Sequence, residues 1–238
     1  LAGDGYSSVG SIVETNCEDS PFLVDSVSEE LSVRDLDIRL VIHPVIGTER
    51  DDEGRIRRVL NAREASVRES VMHFEVTRHL APDELADLAE RVKRILSDVQ
   101  TSMRDFGEMM ARVHDMIAEA RAAEGRYAAD EIEEACAFLE WLLDGNFVVL
   151  GYREYTLGEG QLATRPGRGL GILASDATSR YTTPMPIAAI DPGLRERLLG
   201  GNLLVVSKTN RFATVHRRVR MDDITIKQVG DDGTTTGA

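Results

Sequence analysis

The chain has 238 residues, with 28 Lys and Arg against 41 Asp and Glu, and a formal net charge of −13. That balance argues against nucleic-acid binding, which needs clustered cations to displace counterions from phosphates. No apolar run approaches the ~20 residues that span a bilayer, and the N-terminus lacks the basic-then-apolar pattern of a signal peptide. A soluble cytoplasmic protein without membrane or nucleic-acid partners is expected. The length suffices for two domains of about a hundred residues each, with no need of disulfides. Cys17 and Cys136 match no metal-ligand spacing and read as buried free thiols of a reducing compartment. The abrupt Leu1 start and the Gly- and Thr-rich finish read as cuts through a longer polypeptide.

In chain order, residues 1–10 are Gly- and Ser-rich and are expected to be disordered or tag-like. Ser11 to Asn16 reads as a strand. An acidic turn follows, and then a helix from Pro21 to about Arg34, with Phe22, Leu23, Val27 and Leu31 forming an i, i+4 apolar stripe. Pro21 suits the first helical position, with Asp19 or Ser20 as the cap. Such a strand–turn–helix junction presents free backbone N–H groups and a positive dipole end, which suit small anionic or amino-acid ligands. An ordinary capped helix start is the plainer reading of the same residues.

Asp37 to Val45 alternates as a half-buried antiparallel strand, and Asp51-Asp52-Glu53-Gly54 marks a hairpin tip. Glu69 to Thr77 is a strand with Met72, Phe74 and Val76 on its core face. Pro82-Asp83-Glu84 opens a helix whose Leu85, Leu88, Val92, Ile95, Leu96 and Val99 recur at helical spacing, and Phe106 to Ala123 is a second helix. The order strand, helix, strand, strand, helix predicts two helices on one face of a small antiparallel sheet, an α+β two-layer sandwich. A ferredoxin-like unit closes with one further strand. Either that strand is absent, or Val9 and its neighbours belong to a rearranged edge.

Residues 123–130 are a small-residue, charged linker. Beyond it, Asp130 to Leu143 is an amphipathic helix stopped by Asp144-Gly145-Asn146. Phe147 to Leu157 and Gly169 to Leu173 read as strands, Leu203 to Lys208 and Ala213 to Arg220 as a hairpin around Thr209-Asn210-Arg211, and Ile224 to Val229 as a last strand. The second half is therefore expected to be mostly antiparallel sheet.

Signatures of catalysis are missing: no His-Glu-x-x-His pair, no Gly-x-Ser-x-Gly elbow, no phosphate loop ending in Gly-Lys-Ser/Thr. No catalytic residue, metal ligand or cofactor contact is expected within the chain. Gly167-Arg168-Gly169-Leu170-Gly171 precedes a strand instead of opening a helix, so it reads as a flexible turn and not as a dinucleotide fingerprint. His43 and His73 read as hydrogen-bonded strand histidines, since zinc needs two more ligands. Lys208 reads as an ordinary strand-end lysine, and Glu18, Asp19 and Asp25 as acids favoured by the helix dipole. The basic run His216-Arg217-Arg218-Val219-Arg220 has two readings. It is a charged edge strand that blocks sheet-to-sheet pairing, or an anion or interdomain contact through His216, Arg217 and Arg218.

Several segments, taken together and in order, resemble the N-terminal region of the large bacterial NAD-specific glutamate dehydrogenases. They are Glu18 to Val27, Ile42-His43-Pro44-Val45, Glu69 to His73, Trp141 to Phe147, Leu150 to Tyr155, Gly169 to Leu173, Leu204 to Asn210, and Thr214 to Arg217. The resemblance implies a fragment of a homo-oligomeric cytoplasmic enzyme that converts L-glutamate, NAD and water to 2-oxoglutarate, ammonia and NADH. The NAD site and substrate lysine then lie outside this chain, whose implied partners are other domains of the parent, further copies in a homo-oligomer and an amino-acid effector. It implies an ACT-like domain with C-terminal helices over residues 11–122 and a PAS-like α+β domain over residues 131–238. ACT domains bind amino acids where the first strand meets the first helix, commonly at Asp-x-Pro-Gly-Leu. Asp19, Ser20, Pro21 and Leu23 match that pattern, and Phe22 stands where glycine is usual. Asn16, Asp19, Ser20, Pro21, Phe22 and Leu23 are thus the candidate effector site, a ligand-free scaffold being the alternative.

Overall fold

A computed structural model describes residues 5–230 and 234–238. It is a mixed α+β chain with antiparallel sheets, and it divides into two compact units. One comprises the chain up to Gln100 together with Ala213–Val219, the other Thr101–Phe212 with Arg220–Ala238. The sequence placed the break at 123–130. The helices on either side of that stretch instead share one core, so both go with the second unit.

In the first unit the order is β1 (Ile12–Glu18), α1 (Leu23–Val33), β2 (Ile38–Ile42), β3 (Val45–Arg50), β4 (Ile56–Asn61), β5 (Arg68–Val76) and α2 (Pro82–Arg104), whose last residues from Thr101 belong to the second unit. The sheet runs β1-β5-β3-β4, with β2 also on β5. β5 pairs with all of β1 on one side, Glu18 opposite Glu69 and Ile12 opposite Glu75. On its other side β5 meets β2 and then β3, a single course interrupted at His43-Pro44. Proline has no N–H for a ladder, yet the Pro44 carbonyl still accepts from Val71 N–H. Alternation sends Met72, Phe74 and Val76 inward, all three fully buried, along with Leu23, Val27 and Leu31 of α1 and Leu88, Val92, Ile95 and Val99 of α2. The stripes follow the period read from the sequence except at two positions: Phe22 lies before α1, and Leu85 of α2 is exposed.

Among the described residues β1 is the edge of this sheet, and no closing strand lies beside it. Ser11 continues the β1–β5 pairing, its carbonyl accepting from Val76 N–H. Gly10 sits so close that a Cβ there would fall 1.9 Å from the Val76 carbonyl oxygen. The expected disordered start falls partly on residues 1–4, outside the described residues. Within residues 5–10, Ser8 Oγ donates to Glu75 and the Tyr6 ring packs edge-on against His73.

Three local expectations are corrected. Pro21 is not the first helical residue and neither Asp19 nor Ser20 caps α1: Pro21 and Phe22 form a turn, Phe22 at φ 70° and ψ 2°, and the helix begins at Leu23. A left-handed residue cannot continue a right-handed helix backward, so the boundary moves past it. Ala213 to Arg220 is not a strand either. The strand Leu204–Phe212 pairs with the chain from Arg220 onward, while Ala213 N–H donates to the Val219 carbonyl and closes 213–219 as a loop, with His216 at φ 66°. Phe147 to Leu157 is broken into two short strands because Glu154 turns inward between them.

The second unit contains α3 (Phe106–Ala122), α4 (Ala129–Trp141), β6 (Gly151–Tyr152), β7 (Tyr155–Gly158), β8 (Gln161–Thr164), β9 (Leu170–Gly171), β10 (Met185–Pro186), α5 (Pro192–Leu199), β11 (Leu204–Phe212), β12 (Arg220–Ile226), β13 (Gln228–Val229) and β14 (Thr235–Gly237). Its sheets are β10-β8-β7-β14-β13, β11-β12 and β6-β9. One core joins Val113, Ile117 and Ala120 of α3 to Ile132, Cys136 and Leu139 of α4 and to Leu203 and Ile226; a smaller one gathers Leu162, Ile190 and Leu198. Among the described residues no helix is long and apolar enough to cross a membrane.

Candidate functional site

The β1–α1 turn is assembled from both ends of the first unit's sequence. Asp19 N–H donates to the Arg68 carbonyl, which fixes the end of β1, and Ser20 Oγ lies 3.5 Å from the Pro21 carbonyl. Phe22 then takes the left-handed conformation. Non-glycine residues adopt it at a cost, so a glycine in the corresponding Asp-x-Pro-Gly-Leu pattern has a conformational reason besides its small size. Leu23 is buried and anchors the helix in the core. The Phe22 carbonyl accepts from Ser26 N–H, the first intrahelical bond, and from Ser26 Oγ at 2.6 Å.

Loop 213–219 lies against this helix start. His216 N–H donates to Ser26 Oγ at 2.8 Å, so that hydroxyl relays between the Phe22 carbonyl and the loop backbone. The imidazole packs on the Phe22 ring with centroids 5.0 Å apart, and its Nδ1 is 3.4 Å from Asp25 Oδ2. Arg218 N–H donates to Glu29, and Thr214 Oγ1 to Asp98 at 2.7 Å. Val215 is buried. The sequence-derived candidates thus divide. Phe22, Leu23 and His216 come together, with Asp19, Ser20 and Pro21 forming the adjoining turn; Arg217 and Arg218 lie along α1 beside Glu29 and Glu30. Ser26 joins the site although it is not among the candidate residues; its place on the first turn of α1, four residues after Phe22 and within the Glu18 to Val27 segment, is the available signal.

Asn16 does not join them. It is on the other face of the sheet, where its side-chain amide donates to Glu69 at 2.8 Å. Glu69, only 6% exposed, also accepts from Thr48 Oγ1 and from Nε and a terminal nitrogen of Arg50. The Arg50 contacts, opposed by burial and reinforced by Thr48 and Asn16, hold its carboxyl down to about 2. Along the same face His73 Nδ1 contacts Glu14 at 2.9 Å, and Glu75 accepts from Arg39 and Ser8. His43 instead meets Ser70 Oγ at 2.7 Å. Both histidines are therefore hydrogen-bonded, but to residues on opposite faces of β5. Among the described residues no group of His, Cys, Asp and Glu is arranged to hold a metal ion. Cys17 is half-buried and its thiol is pushed up by burial and by Asp19, Glu18 and Glu69.

In the second unit, Lys208 ion-pairs with Asp222 across β11 and β12. The glycine-rich stretch is a built turn: Gly171 N–H donates to Asp105 at 2.8 Å and Gly167 N–H to Asp176. Buried Glu154 holds Tyr152, Arg165 and Arg168.

The first unit is thus an antiparallel α+β unit whose first strand turns into its first helix through a left-handed residue. Residues 1–92 match the family described as "Glutamate dehydrogenase, ACT1 domain". The chain is 32% identical to the NAD-specific glutamate dehydrogenase of Halomonas elongata over 98% of its length, covering 15% of that protein. It is 31% identical to the Pseudomonas aeruginosa NAD-specific glutamate dehydrogenase over 65% of its length, covering 10% of that protein. For the Mycobacterium tuberculosis protein of the same name, the figures are 25%, 74% and 11%. The chain belongs to the NAD-specific glutamate dehydrogenase family and corresponds to an N-terminal region of such enzymes.

Proposed function

We propose that this chain is a non-catalytic regulatory and assembly region of an NAD-dependent glutamate dehydrogenase. In this reading an amino-acid effector engages the turn formed by Asp19, Ser20, Pro21, Phe22 and Leu23, and its binding energy shifts the parent enzyme between states of different activity. The parent, a cytoplasmic homo-oligomer, oxidises L-glutamate with NAD and water to 2-oxoglutarate, ammonia and NADH at a site outside these residues. Residues 131–238 serve as a PAS-like module contacting other domains of the parent. The observation that carries the reading is the ACT1 family match over the strand–turn–helix junction at Phe22. A ligand-free scaffold is the second reading, favoured by the His216 ring resting on Phe22.

A thermal-shift panel of L-amino acids separates the two. At a hundredfold excess over its dissociation constant a ligand stabilises by about 2.7 kcal/mol, or roughly 5–10 °C for a chain of this size. A shift with one or a few amino acids is the expected result; none with any of them favours the scaffold. NADH formation from glutamate and NAD by the chain alone would overturn the non-catalytic assignment.

A further inference from the structure

We propose that residues 213–219 are a removable strap: seated, they fill the approach to the β1–α1 turn, and an amino-acid effector reaches that turn only when the strap lifts. The inference rests on the reading of the turn as an effector site. Space is the first argument. The cavity left between strap, α1 and α2, lined by Ser26, Glu29, Glu30, Arg91, Thr214 and His216, measures ≈ 10 Å³. That is room for about one water, whereas small-molecule sites begin at about 300 Å³. An amino acid does not fit between the seated strap and α1.

The strap also consumes the groups a ligand would meet. Ser26 Oγ is shared between the Phe22 carbonyl and His216 N–H, and the Phe22 ring is covered by the imidazole. Occupancy by ligand and by strap are therefore alternatives for the same atoms.

Finally, the seated contact carries internal costs. Its contacts include buried Ala213 and Val215, the Thr214–Asp98 bond, the His216 N–H to Ser26 Oγ and the Arg218 N–H to Glu29. Against them, two residues that touch, Phe22 and His216, both occupy the left-handed region. Lifting the strap frees His216 from its strained backbone. A contact so balanced is suited to exchange with a ligand and poorly suited to be a permanent joint.

Hydrogen–deuterium exchange on the 238-residue chain, with each proteinogenic L-amino acid in turn, tests this directly. The expected result is slower exchange over residues 19–27 and faster exchange over 213–219 with the amino acid that binds. Protection of both segments together overturns the proposal, because the ligand then sits with the strap in place. Val215→Asp expels the buried anchor, and His216→Gly, a milder change, removes the ring while tolerating the left-handed backbone. Each tightens the apparent affinity by the reciprocal of the open fraction, about tenfold if the strap is open a tenth of the time. Binding seen only in these variants supports the strap. Affinity equal to that of the parent chain overturns it while leaving the effector reading intact. Binding by neither parent nor variants, or binding that leaves 19–27 unchanged, removes the effector reading and the strap with it.

Discussion

In the first unit β1 and β5 pair along seven consecutive residues, whereas the five-stranded sheet of the second unit is built from strands of two to four. Long strands bury a repeating stripe, and that stripe supplies most of the stabilisation through the hydrophobic effect. Short strands have no such repeat. The second unit's irregular stretches depend instead on close-packed glycines and on single buried charges, each satisfied by a particular partner. β5 shows both principles in one element, with Met72, Phe74 and Val76 on one face and Glu69, His73 and Glu75 on the other. Removing an apolar side chain leaves a cavity in a shared core, while removing one charged partner strands the other, and the two losses respond differently to pH.

The largest expected effect is at the apolar face. Phe74→Ala should lose about 3–5 kcal/mol in urea unfolding, nearly independently of pH, because the ring is fully buried. Glu69→Gln, on the opposite face of the same strand, should lose about 2 kcal/mol at neutral pH. Its signature is the pH profile. The carboxyl is lowered from 4.5 to about 2 in the folded state, so its contribution is fully present above the ordinary value and disappears as pH falls from about 4.5 through 2. The variant should lack that acid limb, and an unchanged limb would mean that Arg50 does not hold this group.

In the second unit, Gly171→Ala should cost about 1–3 kcal/mol by thermal denaturation. Gly171 has φ 58°, and a Cβ there would sit 2.2 Å from the Leu150 carbonyl oxygen. A cost near zero would show that this turn is adaptable and weaken the contrast with the first unit. The smallest effect at neutral pH is expected for Lys227→Met, within about 1 kcal/mol, since a buried charge can often be replaced by an apolar side chain of similar length. Burial lowers the Lys227 amine below its ordinary 10.5, partly opposed by Glu131, although it donates to the Gly200 carbonyl. The folded state thus prefers the neutral amine, and stability should rise with pH through the range just below 10.5; the variant should lose that rise in an alkaline series.

Legibility along the chain follows the same contrast. The stripes of α1, α2 and β5 and the hairpin tip at Asp51 to Gly54 were readable because each is written in neighbours two to four residues apart. The Phe147 to Leu157 strand was misread for want of a local sign that Glu154 turns inward to meet Arg165 and Arg168. At the candidate site, the turn from Asp19 to Leu23 was visible as a motif, but Asn16 was grouped with it on sequence proximity alone. Strand alternation sends its side chain to the opposite face, toward Glu69.

The α+β class, the periodic cores of the longer elements and, through the order of the motifs, the kinship with the glutamate dehydrogenases are all written in the amino-acid order. Only the tertiary structure decided that Phe22 adopts a left-handed turn and that a loop 190 residues beyond Ser26 closes over it. Local periodicity is set by bonds within one or two turns of chain. A contact between distant segments depends on where the whole backbone brings their donors and acceptors, and no residue near either segment records it.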